Sequence, residues 1–546
     1  MPCAKIALMT TLVLLTATAA VAQDDDTFTL PDLLRTHLVL EARISPDGEH
    51  VAHVLNVPRD PFTGDDGPAR RELHVVDREG DRPRAFVAGE VSVSKIAWTP
   101  DGRGIAFLSK RADDDETSLY VIPVDGGEAR RILGHETGVR EYAFAPDGDQ
   151  VAFLAREPAD ETRETLAEKG FKAEVVEEDF RFVRVFVAPL NDDGTAGEAR
   201  PLDLAGSASL LSWSPDGDRL AVALAPTPGI DDHYMKRTVH TVRPEDGTVV
   251  GRVDTGGKLG SVAWSPDGDR LALLAGADRH DPDASRLMVV AATGGAPRDL
   301  RPGWRGDAIA VQWQDDDTLL YVAHEGVETM LVRQDLDGEP RVVVEEGGAA
   351  LRSLDLDRDR RRAAILADTP THPREAFVWS RGDDAVQRVT DSNPWLDDLR
   401  LAKQEVVTYE ARDGVRIDGL LIHPLDGVPS GGAPLVLMVH GGPEAHYSNG
   451  WLTRYVSPGQ ALAARGFAVF YPNYRGSTGR GVEFAMAGQG DYAGAEFDDL
   501  VDGVEALADR GVVDADRVGI TGGSYGGFAA AWGATALSEH FKASVM

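Results

Sequence analysis

Five segments of this chain share one template, RISPDGEHVAHV, IAWTPDGRGIAFLS, YAFAPDGDQVAFLA, LSWSPDGDRLAVAL and VAWSPDGDRLALLA, and two weaker copies follow, VQWQDDDTLLYVA and LDLDRDRRRAAIL. A repeat constrains a fold more than any local propensity, because every copy must take the same shape and bury its apolar face against the next. The turn residues fall at Pro46, Pro100, Pro146, Pro215 and Pro266, then near Asp315 and Asp357, a period of about 50 residues with one long interval. Seven units result.

Within a unit, an apolar strand ends, Pro fixes φ at the second turn position, Asp and Gly take the remaining turn conformations, and an alternating apolar strand leaves. Between these hairpins lie further short strands such as LYVIPVDGGEARRIL and RLMVVAATGGAPRDL, making about four strands per unit. Seven four-stranded units predict a seven-bladed β-propeller over residues 23–392, which closes radially and leaves few free sheet edges. Trp98, Trp213, Trp264 and Trp313 recur at one template position and are expected to pack between blades. The long interval holds an insertion, REPADETRETLAEKGFKAEVVEEDFRFVRVFV, which is charged and partly helical in pattern and contains the pair Glu177-Glu178. An acidic pair on an insertion is usually a solvated face; capture of a substrate's free amino terminus is the functional alternative.

From about residue 393 the pattern changes. QEVVTYEARDGVRIDGLLIHPL reads as a strand pair joined by the turn Asp413-Gly414, and strands then alternate with helical patterns: APLVLMVHGGP, a helical stretch around 458–465, GFAVFYPNYRG, a helix over 492–509, and the strand RVGIT. Such alternation means a parallel sheet with crossover helices. At the end of the last strand stands Gly522-Gly523-Ser524-Tyr525-Gly526, followed by the helix former FAAAWGATAL. Strand, tight turn and helix in that order are the context a nucleophile elbow requires, and side chains at Gly522 or Gly526 would collide with the neighbouring strand or helix. His440-Gly441-Gly442-Pro443 follows the strand PLVLMV, 84 residues before Ser524. Its glycines let backbone N–H groups approach a substrate oxygen, so Gly441 and Gly442 with the N–H of Tyr525 are the candidate oxyanion hole. His440 is expected to shape that loop rather than to act as the base, because in this fold the base follows the nucleophile.

The propeller followed by HGGP, NYRGSTGRG and GGSYGG resembles the prolyl oligopeptidase family of serine peptidases, in particular its dipeptidyl peptidase and acylaminoacyl peptidase branches. The resemblance implies an α/β-hydrolase domain over 393–546, a propeller that covers the active site, and a hydrolase that admits peptides but not folded proteins. It also implies that Ser524 is the nucleophile, that Tyr525 and Gly442 donate to the oxyanion, and that His440, Asn473, Tyr474 and Arg475 border the substrate. Glu177 and Glu178 are similar to the glutamate pair with which dipeptidyl peptidases hold an amino terminus.

In such a hydrolase the triad runs Ser, then Asp or Glu, then His. Beyond Ser524 the only acid is Glu539 and the only histidine His540. They are adjacent on a helix-like stretch, about 100° apart in direction, and too close to the elbow to serve. The expectation is therefore a chain that represents part of a longer protein, with the Asp, the His and further strands beyond Met546, the hydrolase domain incomplete and inactive on its own.

Composition narrows the partners. The formal charge of −34, with 9 Lys and 47 Arg against 90 acidic residues, argues against nucleic acid or anionic membranes. MPCAKIALMTTLVLLTATAAVAQ carries a positive n-region, an apolar run and a small-residue cleavage site, so residues 1–22 read as a secretory signal peptide and the protein as secreted or periplasmic, with no integral membrane segment once the signal is removed. Cys3, the only cysteine, lies in that segment, which excludes disulfides, Cys-ligated metal and a thiol nucleophile from the mature chain. No cofactor and no metal are expected, peptides are the expected substrates, and a homo-oligomer is compatible with the composition. Two other functions remain open: a propeller binding module with a dead hydrolase remnant, and an esterase of the same fold.

Overall fold

The computed structural model describes residues 26–111, 114–173, 175 and 177–546, so residues 1–22, expected to be a signal peptide, lie with Cys3 outside the described residues. Seven sheets follow one another along the chain, each running strand to neighbouring strand, from Leu38–Ile44, His50–Val57, Arg70–Asp77 and Arg84–Val87 in the first to Arg362–Thr369, His372–Ser380 and their short flanking strands in the seventh. These are the seven blades that the repeat predicts. The glycine of each Pro-Asp-Gly turn sits at positive φ, 73° at Gly48 and 72° at Gly102, where a side chain would be strained.

The recurrent tryptophans bind blade to blade. Each indole donates to a backbone carbonyl in the first strand of the preceding blade: Trp98 to Arg43 (3.0 Å), Trp213 to Ala143 (2.9 Å), Trp264 to Ser212 (3.1 Å) and Trp313 to Ala263 (3.0 Å). The apolar faces fill the spaces between blades, and the ring closes by packing Val39, Ala42 and Ile44 of the first blade against Ala364, Leu366, Ala376 and Val378 of the last.

The second domain is a six-stranded sheet in the order Gln404–Glu410, Arg416–Ile422, Ala468–Asn473, Ala433–Val439, Val513–Gly522, Ala543–Val545. The first two strands are antiparallel and the last four run parallel. The helix Ala495–Asp509 covers one face with Phe497, Leu500, Val501, Val504 and Leu507, the helical spacing of an apolar stripe. Among the described residues no helix is long and apolar enough to cross a membrane.

The domain boundary differs from the expected one at its start. Residues placed with the propeller by sequence, around Phe28, pack instead on the hydrolase side, with Phe28 among Leu396, Trp451 and Ala461. Arg35 of the short helix Leu30–Arg35 lies 3.7 Å over the Trp395 ring. The chain enters and leaves the propeller at one clasp, where Asn393 Oδ1 accepts from His37 N (2.8 Å) and Asn393 Nδ2 donates to His37 O (2.9 Å).

Candidate active site

Three neighbouring parallel strands deliver the candidate site at their carboxyl ends: Ala433–Val439 leads into His440, Ala468–Asn473 into Tyr474 and Val513–Gly522 into Ser524. This is where an open α/β sheet places its ligand crevice. Ser524 stands exposed between its strand and the helix Tyr525–Ala534, at φ 56° and ψ −120°. A residue with a Cβ keeps such a backbone only where its surroundings hold it. A Cβ at Gly522 would lie 2.4 Å from the Val439 carbonyl oxygen and one at Gly526 only 2.1 Å from it, whereas a Cβ at Gly523 meets nothing within 4 Å. Close approach of the elbow to the adjacent strand therefore explains the outer two glycines.

The HGGP loop lies against the elbow. A Cβ on Gly441 would come within 2.8 Å of the Gly523 carbonyl and 3.1 Å of Ser524 Cβ, and Gly442 is at φ 127° with Glu444 N 2.5 Å from where its Cβ would stand. Tyr525 opens its helix, so its N–H lacks an intrahelical partner. The N–H of Gly442 is not taken up by the described backbone bonds. Two backbone donors beside a raised serine, with the positive end of a helix behind it, can stabilise an oxyanion formed on attack by Ser524.

The residues expected to border the substrate have buried side chains bonded within the domain. His440 is buried, its Nε2 2.9 Å from Ser477 Oγ and its ring stacked on Tyr474 at 4.4 Å, and burial lowers its pKa to about 4. It stays neutral at ordinary pH and shapes the loop. The Tyr474 hydroxyl donates to the His440 carbonyl (2.9 Å), and Asn473 clamps Tyr447 by accepting from its N (2.7 Å) and donating to its O (2.9 Å). Arg475 is held by Asp499 (2.6 and 2.9 Å) and Asp413 (2.7 and 3.0 Å), contacts that raise its pKa further. Their side chains are thus committed inside the domain rather than offered to a ligand.

Three acids that the sequence did not single out belong to this support. Glu496 is buried and accepts from the Tyr525 hydroxyl (2.8 Å), while Asp499 and Asp502 receive Arg475 and Arg412. All three are buried although Asp499 and Asp502 lie off the apolar stripe of the helix Ala495–Asp509, so the sequence pattern marks them as ordinary polar positions and only the fold shows carboxylates that need partners.

Glu177 and Glu178 lie exposed on the insertion after the helix Glu161–Glu168, with Glu177 at φ 65°, and line a cavity of about 860 Å³ together with Arg163, Phe171 and Arg181. Among the described residues no hydrogen bond or ion pair joins either glutamate to the hydrolase domain. His540 Nε2 lies 3.5 Å from Glu539 Oε1, and among the described residues none is hydrogen-bonded to Ser524 Oγ. One metal-compatible group escaped the sequence because a hairpin return assembles it: His372, Glu375 and Asp391 bring ligand atoms within 4.8 Å of one another. It belongs to the last blade and its exit, and Glu375 already accepts from Thr390 and Ser392, so it is a satisfied structural cluster away from the strand ends.

Residues 455–546, which include the whole elbow, match the model of the prolyl oligopeptidase family. That stretch of the second domain is similar to the family. Among curated proteins the chain is 34% identical over 196 residues to the uncharacterized peptidase YuxL of Bacillus subtilis, covering 36% of this chain and 29% of the relative. It is 37% identical over 179 residues to the dipeptidyl aminopeptidase BIII of Pseudoxanthomonas mexicana, covering 32% and 25%. Among solved structures, an acylaminoacyl peptidase in complex with Z-Gly-Gly-Phe-chloromethyl ketone superposes with a TM-score of 0.74 at 20% identity, over 94% of this chain and 78% of that one. The fold of that structure is thus shared along nearly the whole chain, while the sequence matches span less than a third of the length of the two curated relatives.

Proposed function

We propose that this protein is a serine peptidase that hydrolyses short peptides through an acyl-enzyme, with an aminopeptidase-type action, dipeptidyl or acylaminoacyl, in the whole protein. The observation that carries the reading is an exposed Ser524 at positive φ with the Gly441-Gly442 loop packed against it, the N–H groups of Tyr525 and Gly442 having no backbone acceptor among the described residues. Ser524 Oγ attacks the scissile carbonyl, and the two N–H groups take up the charge that develops on its oxygen. A histidine paired with an acid is required to take the Ser524 proton and return it to the leaving amine as the C–N bond breaks, and water then releases the acyl group; among the described residues neither Glu539 nor His540 is hydrogen-bonded to Ser524 Oγ, so they do not fill that role. The names of the relatives, a dipeptidyl aminopeptidase and an acylaminoacyl peptidase, support an exopeptidase, and the signal-like residues 1–22 support export. Glu177 and Glu178, on the rim insertion, are proposed to receive a substrate's amino terminus.

The test is turnover of dipeptidyl and N-acylaminoacyl amides by the intact gene product. Hydrolysis that Ser524→Ala abolishes is expected. Cleavage of small esters with no amide turnover makes the protein an esterase instead, and no turnover of either overturns the enzymatic reading.

A further inference from the structure

The oxyanion loop has a second anchor, and it lies in the propeller. Glu444, two residues beyond Gly442, forms an ion pair with Lys258 at the start of the fifth blade and accepts from Asp283 N at 3.0 Å. Lys258 is largely buried, with 14% of its side chain exposed, and its ammonium also pairs with Asp281. The segment that presents these groups, residues 277–284, is itself folded around the buried Asp283 carboxylate, which accepts from the N–H groups of Ala277, Asp278 (3.0 Å) and Ala284 (2.7 Å).

The same segment reaches the other half of the oxyanion site. The Asp281 carbonyl accepts from the Tyr492 hydroxyl (3.0 Å) and the Pro282 carbonyl from Gln489 Nε2 (2.9 Å). The Tyr492 ring stands edge-on to Tyr525 at 6.2 Å. One propeller segment thus touches the supports of both backbone donors, Glu444 behind Gly442 and Tyr492 beside Tyr525.

We propose that Lys258 and Glu444 are positioning residues for the reaction, through which the fifth blade holds the Gly442 N–H at the oxyanion. The inference rests on the serine-hydrolase reading of Ser524. Its physical basis is that Gly442 sits at φ 127°, a backbone with little intrinsic stiffness. On its amino side the loop is fixed by His440 on Ser477. On its carboxyl side it is fixed by Thr478 N donating to Ala445 O (3.1 Å) and by the propeller contact at Glu444. Releasing Glu444 frees the segment that aims the N–H. Removing an oxyanion donor outright lowers kcat by roughly 10²–10³-fold, so mis-aiming one is expected to lower it by about 10- to 100-fold. KM is expected to stay within about twofold, because the contact matters most where charge develops in the transition state.

The experiment compares the intact gene product with Lys258→Met, Lys258→Arg and Glu444→Gln, reading kcat and KM on an amide substrate and the rate at which a fluorophosphonate labels Ser524. A loss confined to kcat and labelling rate, shared by Lys258→Met and Glu444→Gln, no larger in the double variant and restored in large part by Lys258→Arg, is the expected result. Wild-type kcat in Lys258→Met or Glu444→Gln, or a loss that arginine does not restore, overturns the proposal. Should Lys258→Met fail to fold, the isosteric Glu444→Gln alone decides. A wild type that neither turns over nor labels defeats the peptidase reading and this inference with it, whereas a labelled, active wild type with unaffected variants defeats the inference alone.

Discussion

At the scale of the residue, Ser524 is held in a conformation that glycine would adopt freely, at φ 56° and ψ −120°. Backbone strain of this kind costs on the order of 1–3 kcal/mol and persists at functional sites because the surroundings over-determine it. Ser524→Gly should therefore raise the unfolding free energy by up to about 2 kcal/mol, the strain relieved less roughly 0.5–1 kcal/mol for glycine's freedom in the unfolded chain, while removing the proposed nucleophile; urea unfolding of the two proteins checks it, and a variant destabilised by more than about 1 kcal/mol contradicts the strain. The serine and its glycines were legible in the sequence because the turn geometry dictates them. The braces were not. Asn473, Tyr474 and Arg475 stand on a loop at a strand end, where a sequence suggests ligand contact, and only the fold shows that Tyr447, His440, Asp499 and Asp413 take their polar atoms.

At the scale of the element, the elbow helix Tyr525–Ala534 and the strand Ala433–Val439 make the closest approach in the site. Gly526→Ala would put a methyl 2.1 Å from the Val439 carbonyl, with backbone on both sides and no side chain able to yield. A loss of about 3 kcal/mol or more is expected, against little change for Gly523→Ala in packing terms, since nothing lies within 4 Å of that position. Thermal unfolding of the pair checks the contrast. The blades were readable element by element because Pro-Asp-Gly turns and alternating strands recur with a fixed period, and the tryptophans proved to carry a further regularity, an indole bond to the previous blade, that no single copy reveals. The segment around Phe28 was not readable, because its partners Trp451 and Ala461 are brought to it only after the whole propeller has been threaded between them.

At the scale of the whole molecule, the propeller and the hydrolase are joined by buried polar groups as well as by the fifth-blade contact. Asp307 of the sixth blade is buried, accepts from the N–H of Gly479, and has its pKa raised to about 7 by burial, with Glu444 adding to the rise. His324 Nδ1 faces it at 3.8 Å, and the His324 ring stands edge-on to His446 at 4.2 Å. Burial holds the pKa of both histidines far below their ordinary value, so neither supplies a positive charge at neutral pH. A carboxyl whose pKa is higher folded than unfolded supports the fold below about pH 4, and that support is lost as pH rises towards 7. Asp307→Asn keeps the acceptor for Gly479 and lacks the titration. Its stability relative to wild type should climb, by a few kcal/mol at most, between about pH 4 and 7 and then level off. Parallel stability curves across that range would contradict the burial of an ionisable carboxyl between the domains.

The propeller, the elbow and the oxyanion glycines converge on one claim, that Ser524 is a nucleophile whose oxyanion is held by Tyr525 and Gly442. The most direct measurement is to treat the intact gene product with a fluorophosphonate and map the adduct by mass spectrometry. A single adduct on Ser524, slowed by excess peptide substrate and absent from Ser524→Ala, is the result this account predicts. A protein that cleaves peptide amides while remaining unlabelled at Ser524, or that carries its adduct on another residue, would contradict it.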